Sequence, residues 1–461
     1  VTTSLLSARY RWATIGTVGL VFLGAFESLA VTTIMPTVSA ELDGRSWYSA
    51  AFSATLAASV VGMVAGGLWA DRSGPRRPLL GAVAVFATGL LLAGLAPGIE
   101  LFVLARFAQG LGSGAMVVSL YVVVARLYAP VDHPRIFGAF AAAWVIPSMV
   151  GPSVAGVVAD TVGWRWVFLG VVVLALAALA AVLPALRRFE DAPEPAAAAT
   201  GARLLLAVVV ALAVVGLDRA GRAPGVTAYV GAGLTLLVVV LAVRPLLPPG
   251  TLVARRGLPS VIALRGVIAA TFFSTEIYLP YLLQQHYDLP TWLSGITLTV
   301  GAIGWAAASQ LQARLGARLE HVRALELGSV LLWAGIAGEL VAAWAHLTPW
   351  LVVAAWVLAG AGMGLMYPRI SALVLAASTP ADQGAHTSAM SIADAVGGST
   401  AVAVTGLLFA AVGTEAEWAP FAAVFAATTV VGGVSVVVAR RARVAGTGQR
   451  PSRAATSAPA T

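Results

Sequence analysis

Apolar residues in this chain do not alternate with polar ones. They come in long runs, separated by short clusters of arginine, proline, glycine and acid. A helix rising about 1.5 Å per residue needs about 20 apolar residues to cross a hydrocarbon layer of about 30 Å. Fourteen such runs can be placed, from Trp12–Val38 at the start to Pro420–Ala439 at the end. The seventh and eighth, Leu204–Leu217 and Val226–Val243, are the shortest, and the ninth reads as one unbroken span, Ser260–Gln284. The expected architecture is an all-α integral membrane protein. A six-helix bundle would occupy 1–186 and a second one 260–439, with two inserted helices over 204–243. A solvated cytoplasmic linker would fill 187–203, a second cytoplasmic linker 244–259, and a disordered cytoplasmic tail 440–461.

Composition narrows the class. Of 461 residues, 59% are hydrophobic and 10% charged, so there is too little polar surface to cover a soluble globule. The net charge of +8 comes from arginine alone, and in a chain this apolar it sets membrane orientation better than it serves nucleic acid. With the N-terminus inside, 23 of the 28 basic residues fall on the cytoplasmic side, Arg106 lies within a span, and Arg45, Arg165, Arg219 and Arg222 lie outside. The expectation is a multi-pass protein of the cytoplasmic membrane with both termini cytoplasmic. Arg9 and Arg11 lead into an apolar run too long for a signal-peptide core. Zero cysteines exclude disulfides and thiolate chemistry, and His133, His286, His321, His346 and His386 lack metal-ligand spacing. No P-loop is present, so no ATP hydrolysis by this chain drives its work. No cofactor is expected.

One stretch concentrates the charge: Gly67-Leu-Trp-Ala-Asp71-Arg72-Ser-Gly74-Pro-Arg76-Arg77-Pro78 between the second and third spans. Hydrocarbon cannot satisfy four unpaired charges, so this run reads as a tight turn at a membrane face. Span four carries Arg106-Phe-Ala-Gln109-Gly110-Leu-Gly112-Ser-Gly114, polar groups on a helix otherwise suited to close packing. Span five carries Pro147, Gly151, Pro152 and Gly156, which read as a kinked, pliable hinge. Span one carries Glu27 nine residues before Pro36. The halves also repeat. Ser309-x-x-x-Ala313-Arg314-Leu-Gly316 aligns with the charged turn, and Trp356-x-x-x-Gly360-x-Gly362-x-Gly364 aligns with Arg106 and its glycines.

Taken together, these motifs resemble the major facilitator superfamily, and within it the fourteen-span drug:proton antiporters. The resemblance implies a conformational gate at Gly67, Asp71, Arg72, Gly74, Arg76 and Arg77. It implies a hinge at Pro147, Gly151, Pro152 and Gly156, and a part for Arg106 in proton transfer; the other reading of Arg106 is a snorkelling anchor near the outer end of its span. Relative to the family's patterns, Pro147 stands for a glycine and Glu27 for an aspartate.

Buried acids carry the expected mechanism. Glu27 lies roughly 3 Å from the middle of its span, Glu276 roughly 6 Å toward the outside and Asp394 roughly 6 Å toward the cytoplasm. An ionised acid at such depth costs about 2.5–3.5 kcal/mol on insertion scales, so each must face a cavity, find a partner or hold a proton. By the family fold, Glu27 and Glu276 would border one cavity, with Arg106 and Asp394 sharing in proton coupling. Glu27, Glu276, Tyr278, Tyr281, Gln284 and Gln310 are the substrate-binding candidates, although tyrosine and glutamine also suit an interfacial belt. Glu339, near the outer end of span eleven, reads as interfacial. The expected function is proton-driven export of a small lipophilic compound, cationic if the acids meet it, by a monomer in the lipid bilayer. Export of a lipid or of one metabolite, or proton-coupled uptake, are the alternatives on the same fold.

Overall fold

The computed structural model describes residues 6–7, 10–128, 133–187, 200–220, 226–315, 318–378, 383–412 and 418–442. Its helices are α1 (Arg11–Glu41), α2 (Tyr48–Ser73), α3 (Arg76–Gly94), α4 (Ile99–Leu127), α5 (His133–Thr161), α6 (Arg165–Leu186), α7 (Thr200–Ala220), α8 (Val226–Val243), α9 (Leu258–Glu276), α10 (Leu279–Gln285), α11 (Thr291–Leu315), α12 (His321–Trp344), α13 (Pro349–Ala376), α14 (Gln383–Ala411) and α15 (Ala419–Ala439). No strand occurs among the described residues. Among the described residues, thirteen segments are long and apolar enough to cross a membrane, α9 and α10 together forming one of them. The seventh run falls short, because its apolar stretch Leu204–Leu217 would cover only about 21 Å, although the whole of α7 reaches about 31 Å. The predicted linker between 188 and 199 and the tail from 443 onward lie outside the described residues.

Packing repeats across the two halves. In the first, α2 and α3 pack on α4, α1 packs on α5 and α6, and α3 meets α6. In the second, α11 and α12 pack on α13, α9 packs on α14 and α15, and α12 meets α15. Two seams join the halves, α5 against α11 and α2 against α14; α7 covers the second seam, with α8 packed on α7. The glycine repeat is the cause of this correspondence. A Cβ on Gly110 would stand 2.1 Å from the Thr55 carbonyl oxygen, and one on Gly114 would stand 2.0 Å from that of Ser59, both on α2. A Cβ on Gly360 or Gly364 would stand 2.2 Å from the carbonyl oxygens of Gly301 or Trp305 on α11. Gly112 and Gly362, between these pairs, face α3 and α12 in the same way. In lipid, where no hydrophobic force draws helices together, such backbone approach is the main source of packing attraction. Gly114→Leu is therefore expected to cost about 1–3 kcal/mol by overpacking, seen as a fall in the thermal unfolding midpoint in detergent. Gly170→Ala, where a Cβ would meet nothing within 4 Å, is the neutral control.

Two elements depart from the sequence expectation, the charged stretch and the ninth span. The charged stretch is not a turn from Gly67 to Pro78. Helix α2 continues through Ser73 and α3 starts at Arg76, so the link is only Gly74 and Pro75, with Gly74 at φ +72°. The backbone hydrogen bonds of helix, which lipid makes costly to lose, are kept until a glycine can take the left-handed turn. Helix α5 stays continuous through Pro147 and Pro152, whereas the ninth span breaks after Glu276. Pro280 falls in the first turn of α10, where its fixed φ and missing N–H suit a helix start.

Candidate functional site

In the first half, close approach of α2 to α4 brings polar backbone to Arg106. Its guanidinium forms an ion pair with Glu27 of α1 and donates to Gln109 Oε1 at 2.7 Å and to the Ala51 carbonyl at 3.3 Å. Arg106 is 3% exposed and Glu27 4%, so the pair is a buried one, and Arg106 is no snorkelling anchor. The fork of the guanidinium suits three acceptors on two neighbouring helices and its own. At the position equivalent to Arg106 the second half has Trp356, stacked on Phe272 of α9 with ring centres 4.4 Å apart. Charge at this level therefore belongs to one half only.

In the second half, Glu276 ends α9 at the helix break. It is 8% exposed and makes no hydrogen bond or ion pair among the described residues. Asp394 of α14 is held instead, by Arg265 Nε at 2.7 Å and by the Tyr367 hydroxyl at 2.7 Å, with the Arg265 guanidinium lying 3.3 Å from the centre of the Tyr367 ring. Tyr367 also packs edge-on against Trp305, and it lies within electrostatic reach of Glu276. Arg265 and Arg369 stand inside α9 and α13 rather than in the basic loops where charge counting puts them; Arg369 donates to Gln312 Oε1 at 2.9 Å.

The remaining acid lies elsewhere than its sequence position suggests. Glu339 is not interfacial; it is 0% exposed, and both its carboxylate oxygens lack a hydrogen-bond partner among the described residues. Gly335 and Gly338 draw α12 so close to Ala355 of α13 that the face bearing Glu339 turns inward. A buried polar group without a partner costs about 1–3 kcal/mol. Glu339→Met should raise the unfolding free energy by that amount, and Glu339→Gln should not, as measured by chemical or thermal unfolding in detergent.

Tyr278 and Tyr281 are neither belt residues nor neighbours in space of Gln310. With Tyr48 of α2 and Phe409 of α14 they form a buried aromatic cluster across the second seam. Tyr48 stacks on Tyr281 at 4.6 Å, and Tyr278 stacks on Phe409 at 5.1 Å. The Tyr48 hydroxyl donates to the carbonyl of Ile277, in the break itself. Gln284 donates to the Thr33 carbonyl at 3.2 Å, linking α10 to α1. Gln310 lies on an outward stripe of α11 with Ile303.

The hinge residues lie along the other seam. A Cβ on Gly156 would meet Trp292 Cα at 2.7 Å, and a Cβ on Gly295 would meet the Pro152 carbonyl at 2.6 Å. Gly151 faces Phe26 of α1, and Pro147 is buried. Ser153 bonds Thr299 at 2.9 Å, and Asp160 accepts from the Trp292 amide at 3.1 Å. These hydrogen bonds between the halves, with the one between the Thr37 and Thr291 hydroxyls, lie toward the face where α1 ends and α11 begins. The opposite face carries the Gly74–Pro75 link. There Arg72 and Arg77 are exposed, Arg76 is half-buried, Gly67 is in ordinary contact with Val118, and the Asp71 side chain lies outside the described residues.

Sequence reasoning named the acids and Arg106 as candidates and did not name Tyr48, Arg265, Trp305 and Tyr367, which the fold sets beside them. Arg265 carried a legible signal, an arginine six residues inside an apolar run. The aromatic residues carried none, because only the fold brings them to the acids.

Residues 17–354 match the sequence profile of the Major Facilitator Superfamily. An uncharacterized MFS-type transporter of Mycobacterium tuberculosis is 29% identical over 84% of this chain, which spans only 58% of that relative's length. A probable actinorhodin transporter of Streptomyces coelicolor is 26% identical over 87% of the chain and 72% of its own length. Multidrug resistance protein 3 of Bacillus subtilis is 26% identical over 36% of the chain and 33% of its own. A crystal structure of a POT peptide transporter in complex with alafosfalin superposes with a TM-score of 0.67 at 17% identity, covering 93% of this chain and 94% of that one. At that identity the likeness is one of fold.

Proposed function

Since this chain belongs to the Major Facilitator Superfamily, we propose that it works as a proton-driven antiporter of the fourteen-span drug:proton type, exporting lipophilic, preferentially cationic compounds. The names of its relatives, an actinorhodin transporter and a multidrug resistance protein, support the substrate class. One observation carries the coupling. Among the described residues, Glu27 and Asp394 each have an arginine partner, while Glu276, at the break in its helix, has none. Broken membrane helices are where carriers of this kind place their binding sites.

In this reading Glu276 alternates between a proton and a cationic substrate, since an ionised carboxylate there needs one or the other to offset the water it has lost. Trp305 offers a cation an aromatic face nearby, whereas the Tyr367 ring already carries the Arg265 guanidinium. Glu27 and Arg106 hold each other and fix α1 against α4; Arg265 and Tyr367 hold Asp394. The arginine-rich face is cytoplasmic by the distribution of basic loops, so the aromatic cluster and the α5–α11 seam form the closure toward the outside. The Gly74–Pro75 link, with Asp71, Arg72, Arg76 and Arg77, gates the cytoplasmic side, and the glycines of α5 let the seam move.

Exchange in proteoliposomes tests this reading. An imposed pH gradient should drive tetraphenylphosphonium uphill while protons travel the other way. Cation and proton moving in the same direction, or cation moving with no proton, would refute it.

A further inference from the structure

The corner where α15 ends beside the start of α9 has a feature that transport does not use. Arg256, Arg440, Arg441 and Val437 line a hollow of about 470 Å³. The corner is built rather than incidental. The Arg441 carbonyl accepts from the Gly257 amide at 3.2 Å and from Ser260 Oγ at 2.9 Å, and the Arg441 guanidinium donates to the Val253 carbonyl at 3.3 Å. These bonds tie the end of one helix to the start of the other. They leave Arg256 and Arg440 exposed and without a hydrogen bond or ion pair among the described residues. No acid occurs anywhere in 244–264 or 419–443, so nothing in the local sequence neutralises them.

Beneath the arginines the surface changes character. Val437, Val434 and Val430 face outward from α15 at helical spacing and run from the hollow toward the middle of the membrane, and Leu252 and Val253 are exposed at its rim. A guest that satisfies both parts has an anionic head and apolar tails. Phosphate oxygens take guanidinium hydrogen bonds in pairs, and basic pockets between membrane helices on the arginine-rich side favour anionic headgroups.

We propose that this corner is a binding site for an anionic glycerophospholipid of the leaflet at the arginine-rich face. Arg256 and Arg440 take the phosphate, Arg441 holds the corner in shape, and the valine stripe carries an acyl chain. The bound lipid bridges α9, which bears Arg265 and Glu276, to α15.

The test uses the whole chain in neutral detergent, titrated with phosphatidylglycerol, phosphatidylcholine or inorganic phosphate and followed by native mass spectrometry and thermal unfolding. Phosphatidylglycerol should bind in a defined stoichiometry and raise the midpoint, and the other two should not. Arg256→Gln with Arg440→Gln removes no bond within the protein. It should weaken phosphatidylglycerol binding at least about tenfold, from the usual worth of an arginine at an anionic surface. Arg318→Gln with Arg323→Gln, which removes two charges elsewhere on the same face, should leave it unchanged. Equal binding of both phospholipids, equal loss in both double variants, or equal protection by inorganic phosphate would each overturn the proposal.

Discussion

Uphill transport is expected to disappear in Glu276→Gln while the protein stays folded. Glutamine has nearly the shape of the protonated acid, and Glu276 has no partner among the described residues to lose, so stability should change by less than about 1 kcal/mol. What is lost is the ability to exchange a proton for a cation. One pH unit is worth about 1.4 kcal/mol, so a one-for-one exchanger can hold about a tenfold cation gradient for each unit imposed. The variant should hold none and show a ratio near one. Exchange of labelled for unlabelled substrate across the same membrane separates coupling from collapse, because it needs bundle movement and no net proton. It should survive in Glu276→Gln if substrate can bind without the carboxylate's charge, as a neutral lipophilic probe would. A variant that still concentrates tetraphenylphosphonium would remove Glu276 from the mechanism.

The largest stability effect belongs to Glu27 and Arg106. Each is buried against the other, and removal of one partner leaves an uncompensated charge, at a cost of about 3–5 kcal/mol. Glu27→Gln and Arg106→Gln should therefore each lower the unfolding midpoint sharply, and the double variant should recover most of the loss, giving a large coupling in a double-mutant cycle. Arg106→Lys should not rescue. One ammonium cannot reach Glu27, Gln109 Oε1 and the Ala51 carbonyl with the geometry of the guanidinium. Single variants losing under about 1 kcal/mol would show that the pair contributes little to holding α1 on α4.

Much of this was legible because the membrane restricts what a sequence can mean. Long apolar runs had to be helices, and the glycine triplets at 110–114 and 360–364 foretold the same close approaches in both halves. The arrangement of charge was harder to read. Glu27 and Arg106 are 79 residues apart and Arg265 and Asp394 are 129 apart, and one chain without its fold offers no way to pair them. Counting Arg265 with the basic loops hid a partner for Asp394. Placing Glu339 at an interface followed from its position near a helix end; two glycines, whose effect depends on α13, turned that face inward. The break at Glu276 could have been read from Pro280 four residues later, had the apolar run not invited a continuous span.

The tyrosine hydroxyl that caps the Ile277 carbonyl comes from the opposite half. Any parting of the halves on that side must withdraw the donor and leave the end of the interrupted helix frayed, one residue from Glu276. Wetting of the acid and separation of the seam then become one event, because a single phenol joins them.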